Sequence, residues 1–237
     1  MTTTSETKLG SSATEKFSVY CVGGVYLHHA GRSGYGLLEQ YLGEPWQPSR
    51  FLTTLGNTVF RIPGRLLCWY CGLYEYSRPD FVREFSLVPK ILQSGYAVWH
   101  YLYAEKQFFL SSYLSKRRYI RFVGTFHHHP KKFPYMVQRT KHFRRFDMAV
   151  AMSTVQIELL EKLVGAGKVY FVPHGIDTEY WYPIPTDSDR KVKKLVFAGN
   201  HMRDFKVLEV VIDSVLSRRR DVEFVLMSSQ RECGRLF

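Results

Sequence analysis

Hydrophobic side chains fall along this chain in short unbroken runs, separated by stretches where they recur every three or four residues. The runs are FSVYCV (17–22), AVWHYLY (97–103), YIRFVGTF (119–126), MAVAM (148–152), VYFV (169–172), KLVFA (194–198) and VEFVLM (222–227). Most are apolar at consecutive positions, as strands buried on both faces of a parallel sheet are. Helical spacing fills the gaps, most clearly over 80–92, 153–164 and 205–219. This alternation predicts an α/β protein with parallel sheets and right-handed crossovers.

Local chemistry marks several boundaries. Ser153 followed three residues later by Gln156 is a capping-box pattern, and Gly165 and Gly167 close the helix it opens. After Val172 the Pro173 ring removes a ladder donor, and Gly175 is expected to permit a turn that a side chain would obstruct. The segment PIPTDSDR (183–190) is polar and turn-rich. It divides the chain into a disordered tail (1–16), an N-terminal domain (17–182), a linker (183–193) and an incomplete second domain (194–237). The second domain holds one βαβ unit, and a two-stranded sheet of that kind has exposed edges.

Composition narrows the class. With 237 residues, 45% apolar and 16% aromatic, the chain can bury a large core, so disorder is not the default. Four cysteines are too few for a disulfide framework and favour a reducing compartment. Cys68 and Cys71 form a C-x-x-C inside the apolar LLCWYCGLY, with no second pair, and are read as buried structural thiols. The first sixteen residues are polar, and no apolar stretch reaches the roughly 18 residues a spanning helix needs. A cytoplasmic protein is expected.

The formal charge of +12 calls for an anionic partner: a phosphorylated ligand, a membrane surface or nucleic acid. Between Tyr113 and Phe146 the cations cluster as KRRYIRF, KK and KHFRRF, interleaved with aromatics. Over 134–146, Met136, Phe143 and Phe146 fall on one face at helical spacing, with Arg139, Lys141, Arg144 and Arg145 outside it, which predicts an interfacial helix. His127, His128 and His129 are consecutive, and residues of a strand point alternately to opposite faces, so the three cannot converge on one metal.

Taken in order, FDMAVAMS, a helix, KVYFVPHGIDTEYWYP and KLVFAGNHMRDFKVLEVVIDSVLSRRRDVEFVLMS resemble the middle of a retaining GT-B glycosyltransferase of the group-1, family 4 kind. The likeness covers residues 146–228. YLHHAGRSGYGLLEQYL resembles the family's first glycine-containing loop, and VGTFHHHP resembles the strand end where members carry a histidine. The resemblance implies two Rossmann-like domains, acceptor side first and donor side second. It places His127 as the catalytic histidine and His28, Gly31, Ser33 and Gly34 on the acceptor loop. Gly175 and Asp177 fall between the domains, and His174 stands where members usually have asparagine.

At the second domain's first strand tip, Gly199, Asn200, Arg203 and Lys206 are expected to hold the donor diphosphate. A loop leading into a helix offers unpaired N–H groups and a positive dipole end. The implied donor is a nucleotide-sugar, a substrate rather than a cofactor, and no metal is required. The sequence does not identify the acceptor; the resemblance points to the membrane-associated or lipid-linked acceptors many relatives use, with an anionic membrane surface contacted through 131–146 at the inner face, and no nucleic acid is expected. The family's glutamate-containing donor motif is not found after Val225, so the resemblance implies a truncated or inactive form. From the residues alone a second class stays open, a non-enzymatic basic protein that binds single-stranded nucleic acid or an anionic membrane.

Overall fold

The computed structural model describes residues 17–23, 41–46, 54, 56, 58–73, 75–114, 119–183, 191–199 and 204–227. The chain separates into two compact units, Met1–Trp181 and Tyr182–Phe237. The fold is mixed α/β, with parallel sheets flanked by helices.

In the first unit six strands form one sheet: β1 (Ser18–Val22), β2 (Glu44–Trp46), β3 (Ala97–Tyr101), β4 (Ile120–Phe126), β5 (Met148–Ala151) and β6 (Val169–Phe171). Their order is β2-β1-β3-β4-β5-β6, and every neighbouring pair is parallel. The chain steps outward from β1 to β2, then returns to the other side of β1 with β3. That reversal puts a topological switch point beyond the carboxyl ends of β1 and β3, where open α/β sheets form their crevice.

One face of this sheet carries Ala97, Trp99, Tyr101, Ile120, Phe122 and Phe126, all buried. Against it pack α1 (Arg61–Cys71) and α2 (Arg78–Gln93), followed in the chain by the short α3 (Ala104–Gln107) and α4 (Phe133–Met136). Ser77 and Asp80 form a capping box that starts α2, with Pro79 in its first turn. Gly124 is needed for close approach: a Cβ there would lie 2.6 Å from Phe146 Cζ and 2.8 Å from Ala104 Cβ. Glu84 of α2 is also buried in this layer. Its carboxylate accepts from Phe109 N–H, Ser111 N–H and the Tyr76 hydroxyl, each at 2.8 Å. Burial pushes the Glu84 carboxyl up, and these donors work against that rise.

Several expectations change here. Residues 134–146 do not form one interfacial helix. They divide into α4 and a 3₁₀ turn at Lys141–Arg145. Phe143 and Phe146 are fully buried among Phe126, Phe108 and Phe133, so these two rings face the core, while Arg139, Lys141, Arg144 and Arg145 reach the surface. The helix read over 153–164 begins as a 3₁₀ turn, Thr154–Gln156, before α5 (Ile157–Val164). Cys68 is half-buried rather than buried, and burial pushes its thiol up.

The second unit contains β7 (Lys193–Ala198), α6 (Phe205–Arg218) and β8 (Val222–Met227). The two strands pair in parallel, from Lys193 against Val222 to Ala198 against Met227. Here the expectation of buried strands fails: along β7 only Phe197 is partly covered. Leu208 is the one buried hydrophobic residue among the described residues of this unit.

Candidate functional site

The candidate site is built on the carboxyl end of β4, next to the strand that flanks the switch point. β4 ends at Phe126, and the chain turns out through His127, His128 and His129. Glu105, in α3, meets this turn from the end of β3. Its Oε1 accepts from the backbone N–H of His127 at 2.8 Å and of His128 at 3.1 Å. The same oxygen lies 3.5 Å from His127 Nδ1. The Glu105 side chain is only 2% exposed, whereas that of His127 is 22% exposed. Burial pushes the Glu105 carboxyl up, but the hydrogen bond from His127 and the charges of His127 and His128 outweigh it and hold the group below its ordinary value. Glu105 is therefore an ionised carboxylate that holds the turn bearing the ring.

Two further contacts fix the histidine. The Tyr103 ring stacks on His127 with centroids 4.7 Å apart, and Lys106 Nζ sits 4.8 Å from the Tyr103 centroid. Gln156 braces the turn from the other side. Its amide nitrogen donates to Phe126 O at 3.1 Å and His128 O at 3.0 Å. Its amide oxygen accepts from Met152 N–H and Ser153 N–H, at 2.8 and 2.9 Å. The capping box read from the sequence is present. The sequence does not reveal that the same side chain ties the end of β4 to the end of β5. Glu105 and Tyr103 were likewise missed, because a lone Tyr-Ala-Glu carries no motif.

The three histidines part company. His128 Nε2 lies 3.6 Å from Glu75, while His129 Nδ1 accepts from Lys131 N–H at 3.2 Å. No group of residues able to hold a metal occurs among the described residues.

A cavity of about 520 Å³ opens on the second face of the sheet, lined by Val98, His100, Val123, Thr125, Val150 and Met152. Pro173 to Ile176 also line it, which puts His174 and Gly175 on its wall. The His100 ring pairs with Thr125 Oγ1 at 2.8 Å, and burial lowers the His100 pKa to about 4, so the imidazole is neutral at pH 7. Met152 continues the wall toward Tyr103, with which it packs on Cys21 and Leu102.

The remaining predicted residues are distributed unevenly. Gly175 does not serve the turn expected of it: its φ is not positive, and an added Cβ would meet nothing within 4 Å. Asp177 forms a local turn, its Oδ1 accepting from Glu179 N–H and Tyr180 N–H at 3.1 Å each. Gly199, at the tip of β7, has φ 95 and donates its N–H to Met227 O at 2.9 Å. Lys206 is exposed in the first turn of α6. The helix start is not the set of unpaired donors expected, because Asp204 Oδ1 already accepts from the N–H groups of Lys206 and Val207 at 3.1 Å. His28, Gly31, Ser33, Gly34, Asn200 and Arg203 lie outside the described residues.

No helix among the described residues is long and apolar enough to cross a membrane. Comparison with protein-family models gives no match, and comparison with curated proteins gives none either.

Proposed function

We propose that this chain is a glycosyltransferase-type protein of the GT-B, family 4 kind, moving a sugar from a nucleotide-sugar donor to an acceptor with retention. The observation that carries the reading is His127 at the carboxyl end of β4, held by Glu105, Tyr103 and Gln156 beside the switch point. A ring fixed this firmly yet partly exposed suits a hydrogen bond to a hydroxyl of the transferred sugar or to its phosphate. In the reaction the bond from the anomeric carbon to the phosphate oxygen breaks, and a bond from that carbon to an acceptor oxygen forms. The acceptor's proton passes to the departing nucleoside diphosphate. Charge grows on the diphosphate as it leaves, so cations and backbone donors near it lower the barrier most. Gly199, Asn200, Arg203 and Lys206 are the residues proposed for that work.

The second unit supports a donor-side assignment by its strand, glycine tip and helix order. Leu195, Val196, Val207 and Val210 are exposed at 42%, 60%, 58% and 68%, which suits one unit of a larger nucleotide-binding domain.

The test is incubation of the full chain with a panel of uridine, guanosine, adenosine and thymidine diphosphate sugars. Nucleoside diphosphate release and thermal protection are read together. Turnover is expected to fall about a hundredfold in His127→Ala with protection retained. A panel that gives neither release nor protection rejects the reading.

A further inference from the structure

The apolar face that α1 turns to solvent has no partner among the described residues. Inward, Gly64 is buried and Leu67 and Cys68 pack on the core. Outward, Ile62, Leu66 and Trp69 follow at helical spacing and are 71%, 63% and 84% exposed. Tyr70, half-exposed, borders this stripe, which at about 100° per residue spans roughly 100° of the helix surface. A tryptophan this exposed within an apolar stripe is costly in water and is favoured at a lipid interface.

Charge on the two flanks narrows the occupant. Arg65 is exposed beside Trp69 on one flank. On the other the Arg139 guanidinium lies 4.3 Å over the Tyr70 ring. Arg139 belongs to the basic loop after α4, and that loop is joined to the end of α1. Gln138 N–H donates to Gly72 O at 2.8 Å, and Leu73 bridges Val137. Lys131 and Lys132, just before α4, and Tyr135 within it are also exposed. No aspartate or glutamate occurs between Glu44 and Glu75. Arg65 and Arg139 flank the apolar stripe, and aliphatic stems of arginine can lie along such a surface while their heads reach phosphate.

We infer that the outward face of α1, flanked by Arg65 and Arg139, docks on an anionic phospholipid surface with Trp69 at the level of the headgroups. The element that touches the membrane is thus α1, with the 131–139 loop supplying charge at its end. The inference does not depend on glycosyl transfer, because lipid binding is read with no nucleotide-sugar present.

The experiment is flotation of the full chain with phosphatidylcholine vesicles, with and without phosphatidylglycerol, at low and high salt. Binding is expected only where phosphatidylglycerol is present. It should fall about tenfold or more in Leu66→Asp and several-fold in Arg139→Ala or at high salt. Leu66 is exposed, so circular dichroism of Leu66→Asp should match the unaltered protein. Independently, bromine-labelled lipid should quench the part of the emission that Trp69→Phe removes. A folded Leu66→Asp that still floats, or Trp69 emission that bromine leaves untouched, overturns the inference. So does a dimer, seen by analytical ultracentrifugation without lipid, that Leu66→Asp dissociates, since the face would then belong to a second copy.

Discussion

β4 and β7 come from similar stretches of sequence and meet opposite fates. In β4 every residue except Arg121 is buried, while along β7 five of the six residues are exposed. The difference lies in what each sheet has around it. β4 is paired on both sides and has α1, α2 and a belt of phenylalanines over one face. Among the described residues β7 has one neighbour, β8, and Phe197 meets Phe205 of α6 at 5.7 Å between ring centroids. A run of apolar residues predicts that a strand forms. Only the number of layers decides how much of its apolar surface leaves water.

The contrast is broken most forcefully in the core. Phe122→Ala removes a fully buried ring that packs on Phe108 and Tyr101 with centroids 5.4 and 6.2 Å away. It should cost about 3–5 kcal/mol in urea unfolding. Next comes acid. Burial lowers the pKa of His100 and of His142 to about 4, from 6.5 in the unfolded chain. The unfolded state therefore takes up protons first. The stability these neutral rings confer is complete above pH 6.5 and is lost as pH falls toward 4, by up to about 3 kcal/mol for each ring. Unfolding measured across that range should show the decline, and His100→Gln should flatten it by the share His100 contributes. Smallest is Val196→Thr in β7, expected to move stability by less than about 0.5 kcal/mol. A loss above about 1.5 kcal/mol would mean that β7 is covered in solution.

What the sequence revealed follows the same physics. The strands of the first unit, apart from the three-residue β2, could be read because a consecutive apolar run has few alternatives to a strand. The end of β4 and its His127 were legible as well. Residues 134–146 misled because Met136, Phe143 and Phe146 are spaced as one helical face would be, but Phe143 and Phe146 turn inward from a 3₁₀ turn instead. α1 escaped notice because Pro63 and Gly64 weaken its helical signal and LLCWYCGL reads equally as strand or core. Glu105 and Gln156 could not be recognised as parts of the site at all. Their importance comes from contacts 22 to 30 residues away in the chain, which no local pattern encodes.

One amide, that of Gln156, is shared by four backbone partners drawn from two separate turns. The loop bearing His127 and the first turn leading into α5 therefore cannot shift independently: displacing either by more than an ångström or so would leave buried N–H and C=O groups unmet. The pair behaves as a single stiff hinge plate, and a force applied at Ser153 reaches the imidazole with little slack.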